Sequence, residues 1–198
     1  PTGVSRIDRL PLADDEAHAW LSARLGRPVR LAHLADAGAR AIGAAHGGLP
    51  GETMNLADAG PVLLVTEVSL DRVCELVEQE TGEPWLDRDE ARERFRPNVV
   101  VDGELPFAED RWHRIRIGEV TWRVGELCDR CVMTTIDLGT LRTTHEPIRT
   151  LARHHRIDGA TVFGVRLIPE LATDEVASVS EGDTCEVLEW APSGSNPH

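Results

Sequence analysis

Apolar positions recur along the whole chain, and their spacing predicts most of its elements. Asp14–Gly26 reads as a short helix: Ala17, Trp20, Leu21 and Leu25 share a face, acids fill the first turn, and Gly26 supplies a left-handed stop. Val29–Leu34 alternates as a short strand. Residues 35–60, rich in Gly and Ala with a Pro50-Gly51 turn signal, read as a long loop, a class often functional or disordered. Pro61–Thr66 is a continuous apolar run, the mark of a strand buried on both faces. Ser69 can cap a helix over 70–81 with Leu70, Val73, Leu76 and Val77 inward and Gly82 at its end. Residues 83–94 read as a solvated connector.

A β-rich part follows. Asn98–Gly103 is a strand ending in an Asp-Gly turn. Ile115 and Ile117 precede Gly118-Glu119, and Val120, Trp122 and Val124 follow it, which is the signal of a two-residue hairpin. Alternation with apolar neighbours places Trp112 and Trp122 inward. The segment around Cys128 and Cys131 continues as another strand through the β-branched run Val132–Ile136. Pro147 opens a helix to about His154, with His154-His155 on a solvated face. Thr161–Ile168 and Thr184–Trp190 are the last strands, with a turn at Glu181-Gly182-Asp183, and 191–198 is a disordered tail. Short strands with two or three peripheral helices predict an α+β, β-barrel-like fold without internal repeats.

Charge and composition narrow the function. A formal charge of −13 over 198 residues argues against a nucleic-acid partner, which needs a basic footprint. Every one of the 21 basic residues is Arg, a bias that with the abundant Ala, Gly, Asp and Glu suggests a GC-rich bacterial genome. Four cysteines are too few for a disulfide scaffold. No apolar run approaches the roughly 18 residues of a membrane span, so no membrane partner is expected and a bacterial cytoplasm is the expected location. The chain opens with Pro1, and its first thirteen residues carry no cap or strand pattern, as a fragment or processed product would.

Half of the cysteines sit in Cys128-Asp-Arg-Cys131. Four chemistries compete there. A redox dithiol wants its first Cys at a helix start, and the following run is strand-like. A structural zinc site wants four ligands, and His145, His154 and His155 lack finger spacing. A single reactive or metal-ligating thiolate would be favoured by Arg130 beside Cys131 and suits a soft metal that brings its other ligands. Two small buried residues at a strand end are the ordinary outcome for cysteines without context.

The surrounding order is more specific: Arg94-Phe-Arg-Pro-Asn98, Val99–Gly103, Pro106-Phe-Ala-Glu-Asp110 with Trp112, Ile117-Gly118, then Cys128–Cys131 with Thr134-Thr-Ile-Asp137. Jointly these resemble the MOSC domain, the C-terminal part of molybdenum-cofactor sulfurases, in the branch of the mitochondrial amidoxime-reducing component and its bacterial relatives. Glu146–Leu151, Phe163-Gly164 and Glu181–Asp183 also fit.

The resemblance implies a MOSC-type β-barrel-like core over 56–190, preceded at 1–55 by the remnant of an N-terminal β-barrel subdomain and its connector. It implies a molybdenum cofactor (Mo-molybdopterin), with Cys131 as metal ligand and catalytic residue. Arg130, Arg96 and Asn98 match positions that hold the pterin and its phosphate, Asp129 lies within the Cys motif, and Asp58-Ala59-Gly60 contact the cofactor largely through backbone. The family is also associated with pyridoxal phosphate binding. The implied activity is an oxidoreductase that reduces N-hydroxylated small molecules, fed by a separate iron–sulfur, flavin or haem electron-transfer protein. A sulfur carrier with a persulfide on Cys131, or a cofactor-delivery module, is the alternative. The family's N-terminal Lys-Ser pair and Arg have no counterpart here, so half of the cradle is expected outside the chain. Taken singly, Arg96 would pair with Glu93 or Asp102, Asn98 would be a turn residue, Cys128 would be structural and Asp137 would cap a loop.

Overall fold

Helix α1 (Asp15–Leu25) forms where its caps predict. Asp14 accepts from the Ala17 amide at 2.8 Å, and Gly26 closes the last turn at φ 63°. The computed structural model describes residues 10–172 and 175–192, and the chain divides into two units, Pro1–Pro61 and Val62–His198. The apolar stripe of α1 buries nothing: Trp20 is 59% exposed and Leu25 56%. The strand expected over Val29–Leu34 does not form. Ser22 captures both backbone groups of Val29 through its hydroxyl, at 3.0 and 3.1 Å, and only Ala32 makes a bridge, to Leu12. The Gly/Ala-rich segment after it is more ordered than a loop. Two 3-10 turns, Ala37–Ala39 and Ala44–His46, and an Ala41–Thr53 bridge surround buried Arg40, Ile42 and Met54.

The second unit begins with strand β1 (Val62–Thr66), which runs straight into helix α2 (Glu67–Thr81). The cap is Thr66, whose hydroxyl accepts from the Ser69 amide at 3.2 Å, so the helix starts three residues before the position expected from Ser69. The stripe Leu70, Val73, Leu76 and Val77 is buried as its spacing requires, each side chain contributing roughly 1.5–3 kcal/mol. The connector expected at 83–94 contains helix α3 (Arg88–Phe95). A capping box starts it: Asp87 accepts from the Glu90 amide at 2.9 Å and Glu90 from the Asp87 amide at 3.2 Å. Only Ala91, Arg94 and Phe95 turn inward, too few to show as apolar periodicity.

The sheet adds β2 (Val99–Val101), β3 (Trp112–Ile117), β4 (Val120–Asp129), β5 (Arg156–Ile157), β6 (Ala160–Pro169) and β7 (Cys185–Trp190). Its order is β2-β1-β6-β4-β3-β7, with β5 pairing onto β6. Only β1 and β2 run parallel; the expected hairpin pairs Ile117 with Val120. The fold is α+β, with the sheet curled into a half-barrel. Inside it pack Leu64, Ile115, Ile117, Val124, Leu167 and both Trp112 and Trp122. On the other face Val65 and Phe163 meet α2, α3 and Leu151 of helix α4 (Ile148–His154). Gly164 lies at φ 77°, where a Cβ would stand 2.7 Å from the Leu64 carbonyl oxygen, so only glycine lets β6 cross β1 this closely.

Two further expectations change. His155 is not on a solvated face: it is 8% exposed, stacks on Phe107 at 4.1 Å and pairs with Asp110 at 2.9 Å. His154 does face outward, against Glu80 at 2.8 Å. Ala191 is buried and donates to the Arg111 carbonyl at 2.7 Å, so the start of the expected tail belongs to the fold; residues 193–198 lie outside the described residues.

Candidate functional site

The Cys motif straddles the end of a strand, and its two thiols meet different surroundings. Strand β4 stops at Asp129, and the β-branched run after it is not a strand: Val132–Thr135 forms one 3-10 turn with Cys131 at its cap position. Backbone pairing explains the break. The Arg130 amide still bonds the Thr161 carbonyl at 2.8 Å, but from there the Thr134 and Thr135 hydroxyls turn back onto the carbonyls of Cys131 (3.0 Å) and Val132 (2.7 Å). Such local side-chain bonds compete with a ladder and defeat β propensity. Asp137 then caps the following loop, accepting from the Thr140 amide at 2.7 Å and hydroxyl at 2.6 Å; these bonds hold its carboxyl below the usual carboxylate range.

Cys128 is buried, and Cys131 is exposed. Arg130 does not sit by Cys131, as its sequence position suggests. Its guanidinium folds inward, donating from Nη1 to the Cys128 sulfur at 3.0 Å and from Nη2 to the Phe95 carbonyl at 2.7 Å, over the Phe95 ring at 5.2 Å. The Cys128 thiol in turn donates to the Asp129 carbonyl at 3.6 Å. Arg130 is thus a strut between the end of β4 and the C-terminus of α3. The Cys131 sulfur has no hydrogen-bond partner among the described residues.

The strut brings the end of α3 beside the motif, and with it Arg96. Pro97 disfavours helix at the preceding residue, and Arg96 takes the left-handed cap at φ 58°. For a residue other than glycine that conformation costs roughly 1–2 kcal/mol and turns the chain sharply. The pairing with Glu93 or Asp102 does not occur; the exposed Arg96 side chain has no partner among the described residues. Asn98 is more than a turn residue. It exchanges two bonds with Leu63, its amide to the Leu63 carbonyl and the Leu63 amide to its Oδ1, both 2.8 Å, fixing where β2 meets β1. Its side-chain nitrogen has no partner among the described residues. Asp129 is exposed and held by Arg166 at 3.0 Å, while the same arginine grips Glu126 at 2.5 Å.

Arg130 thus ties the end of β4 to Phe95, the residue before Arg96, while Asn98 sits at the start of β1 through Leu63. Asp58, Ala59 and Gly60 belong to the first unit. Ala59 is buried, and Arg40 shapes the segment before it by donating to the carbonyls of Asn55 (2.7 Å), Ala57 and Asp58 (3.2 Å). In the sequence Arg40 is only a single arginine within a Gly/Ala-rich stretch; its role as a brace inside the first unit is set by the structure. Glu109 is a buried acid of the fold that no sequence pattern marks. It is fully buried and takes bonds from Ser69 at 2.9 Å and Thr66 at 3.3 Å, while the Ser69 hydroxyl accepts from the Phe107 amide at 2.7 Å. Burial pushes its carboxyl up, so the proton stays on more readily than on a free glutamate.

Among the described residues no three His, Cys, Asp or Glu side chains converge on one point. A metal at Cys131 would have to draw its remaining ligands from a bound group. The donor set fits such a group: one exposed thiol for a soft metal, one unpaired guanidinium for a phosphate and one amide donor for a heterocycle edge. No described helix is long and apolar enough to cross a membrane.

Comparison with known proteins bears on this corner. The MOSC domain model matches residues 51–186. The chain is similar to the molybdenum cofactor sulfurase of Danio rerio, 30% identical over 186 residues, covering 90% of this chain and 22% of that protein. It is also similar to the molybdenum cofactor sulfurase of Oryza sativa subsp. japonica, 30% identical over 163 residues, 78% of this chain and 20% of that protein. The mitochondrial amidoxime-reducing component 1 of Danio rerio is 37% identical over 102 residues, 51% of this chain and 29% of that protein. The chain thus spans under a third of each of these relatives.

Proposed function

This chain belongs to the MOSC domain family, and from that premise we propose that it handles the molybdenum cofactor, with the Cys131 thiolate as the protein's ligand to molybdenum. The observation that carries the reading is the exposed Cys131, without a hydrogen-bond partner among the described residues, in a motif that Arg130 ties to Phe95, next to Arg96. When bound, the cofactor would supply a metal centre able to take oxygen from an N-hydroxylated substrate. The chain's own residues do the holding. Arg96 offers a fork to the cofactor phosphate, and Asn98 offers its side-chain nitrogen to the pterin edge. Asp129, within the Cys motif, is clamped by Arg166. Arg130 acts by positioning: both of its terminal nitrogens are committed inward, so it sets the Cys131 turn rather than gripping phosphate. Reduction of N-hydroxylated compounds, with electrons from a separate iron–sulfur, flavin or haem protein, is the proposed activity of the longer parent protein.

The similarity to molybdenum cofactor sulfurases over 90% of the chain favours a second reading, a persulfide-carrying or cofactor-delivery module. Elemental analysis of the parent protein, produced in a cofactor-competent host, separates the two. About one molybdenum per chain, lost in Cys131→Ala, with amidoxime reduction, supports the first. Sulfur released by cyanide from molybdenum-free protein supports the second. Molybdenum retained in Cys131→Ala overturns the assignment of the ligand.

A further inference from the structure

The half-barrel is open between its edge strands β2 and β7, and a cavity of about 230 Å³ lies in that seam. Its floor is aromatic. Trp112 and Trp190 are direct cross-strand partners in the β3–β7 ladder, which puts both indoles on one face. Trp112 is 5% exposed and forms the inner wall; Trp190 is 55% exposed and stands at the mouth with Leu105. The indole N–H of Trp112 has no acceptor among the described residues.

The rim is acidic. Asp102 and Glu104, from the turn after β2, line the cavity, and neither has a hydrogen bond or ion pair among the described residues. The nearby bases on β3 are already taken: Arg114 by Glu170 and Glu189, Arg116 by Glu186, and His113 by Glu189. The turn itself is held in place, because a Cβ on Gly103 would stand 2.8 Å from a Val68 methyl and 3.0 Å from Thr66. Cys185 on the wall is pushed up to about 11 by burial, so it stays a neutral thiol near pH 7.

Two indole faces beside two uncompensated carboxylates are the recognition chemistry of an organic cation, and barrel mouths are common places for small-molecule sites. The net charge of −13 adds long-range attraction for such a ligand. We propose that this seam binds a small organic monocation with an apolar body, of the amidinium or alkylammonium class. Its ring or alkyl part lies against Trp112 and Trp190, and its charge faces Asp102 and Glu104. The site uses none of the residues at the Cys131 corner and does not depend on the function assigned there.

Benzamidine, neutral benzamide and anionic benzoate are isosteric probes for calorimetric titration of the full chain at low salt. Benzamidine binds saturably, benzamide roughly tenfold more weakly, and benzoate not at all. The double variant D102N/E104Q lowers benzamidine to the benzamide level with an unchanged melting temperature. Trp190→Ala removes binding of both, and Cys131→Ala leaves it intact. Equal binding of the three probes, benzamidine binding indifferent to D102N/E104Q, or no saturable benzamidine binding would each overturn the proposal.

Discussion

The inner and outer halves of the Cys128–Asp137 arm differ in what their side chains touch, although they share one short stretch of chain. In the inner half, Cys128 is buried, bonded by Arg130 and tied through that arginine to α3. In the outer half, Cys131 stands in solvent on a 3-10 turn held by threonine hydroxyls. The inner thiol has become part of the scaffold, and the outer one is left with its chemistry available. Two residues of separation suffice because the strand ladder ends between them, and with it the burial that ladder imposes.

The sharpest break of this comparison is Cys131→Ala. It removes bound molybdenum entirely by elemental analysis, while the exposed position changes unfolding free energy by less than about 0.5 kcal/mol in urea. Wild-type stability with molybdenum retained would place the ligand elsewhere. Arg130→Ala does the opposite: it leaves the thiol in place and strips the Phe95 carbonyl and the Cys128 sulfur of their charged donor. A loss of about 2–3 kcal/mol is expected, smaller in Arg130→Lys, which keeps the charge without the fork. A stability within error of wild type would show that the strut carries no load.

Asn98→Ala removes the side-chain bond that registers β2 against β1 and costs about 1 kcal/mol by denaturant unfolding, with weaker cofactor retention. The smallest effect is on pH dependence. Burial raises the Glu109 carboxyl in the folded state, so the folded chain keeps this proton to higher pH than the unfolded chain does. Its contribution is fully present below the unfolded value of about 4.3 and is lost as pH rises through the folded value, with a slope of at most about 1.4 kcal/mol per pH unit. Glu109→Gln removes that slope; an unchanged pH profile of the melting temperature would assign the titration to another group.

Much of the fold was readable because the relevant signals are local. The caps of α1, the Gly82 stop, the Gly118-Glu119 turn and the apolar run of β1 depend on neighbours within a few residues. Expectation and structure part where one local signal competes with another. Val132–Ile136 has strand residues, but the Thr134 and Thr135 hydroxyls satisfy backbone carbonyls that a ladder would otherwise take. Helix α3 has too few apolar residues to display a period; its start is fixed by the Asp87–Glu90 capping box. At the candidate site, the ordered motifs single out Cys131, Arg96 and Asn98 as candidates, yet they cannot show where Arg130 points.

The sequence by itself determined the family and the α+β class, because motif order and residue chemistry are carried along the chain. Tertiary structure alone decided that Cys128 is a scaffold thiol, that His155 is buried against Phe107 and Asp110, and that Trp112 and Trp190 share a face beside unpaired carboxylates. Each of these depends on a partner far away in sequence: Phe95 for Arg130, Phe107 for His155, Trp190 for Trp112. The physical reason is that propensity and capping act over one turn of chain, whereas burial and ion pairing are settled only when distant segments meet.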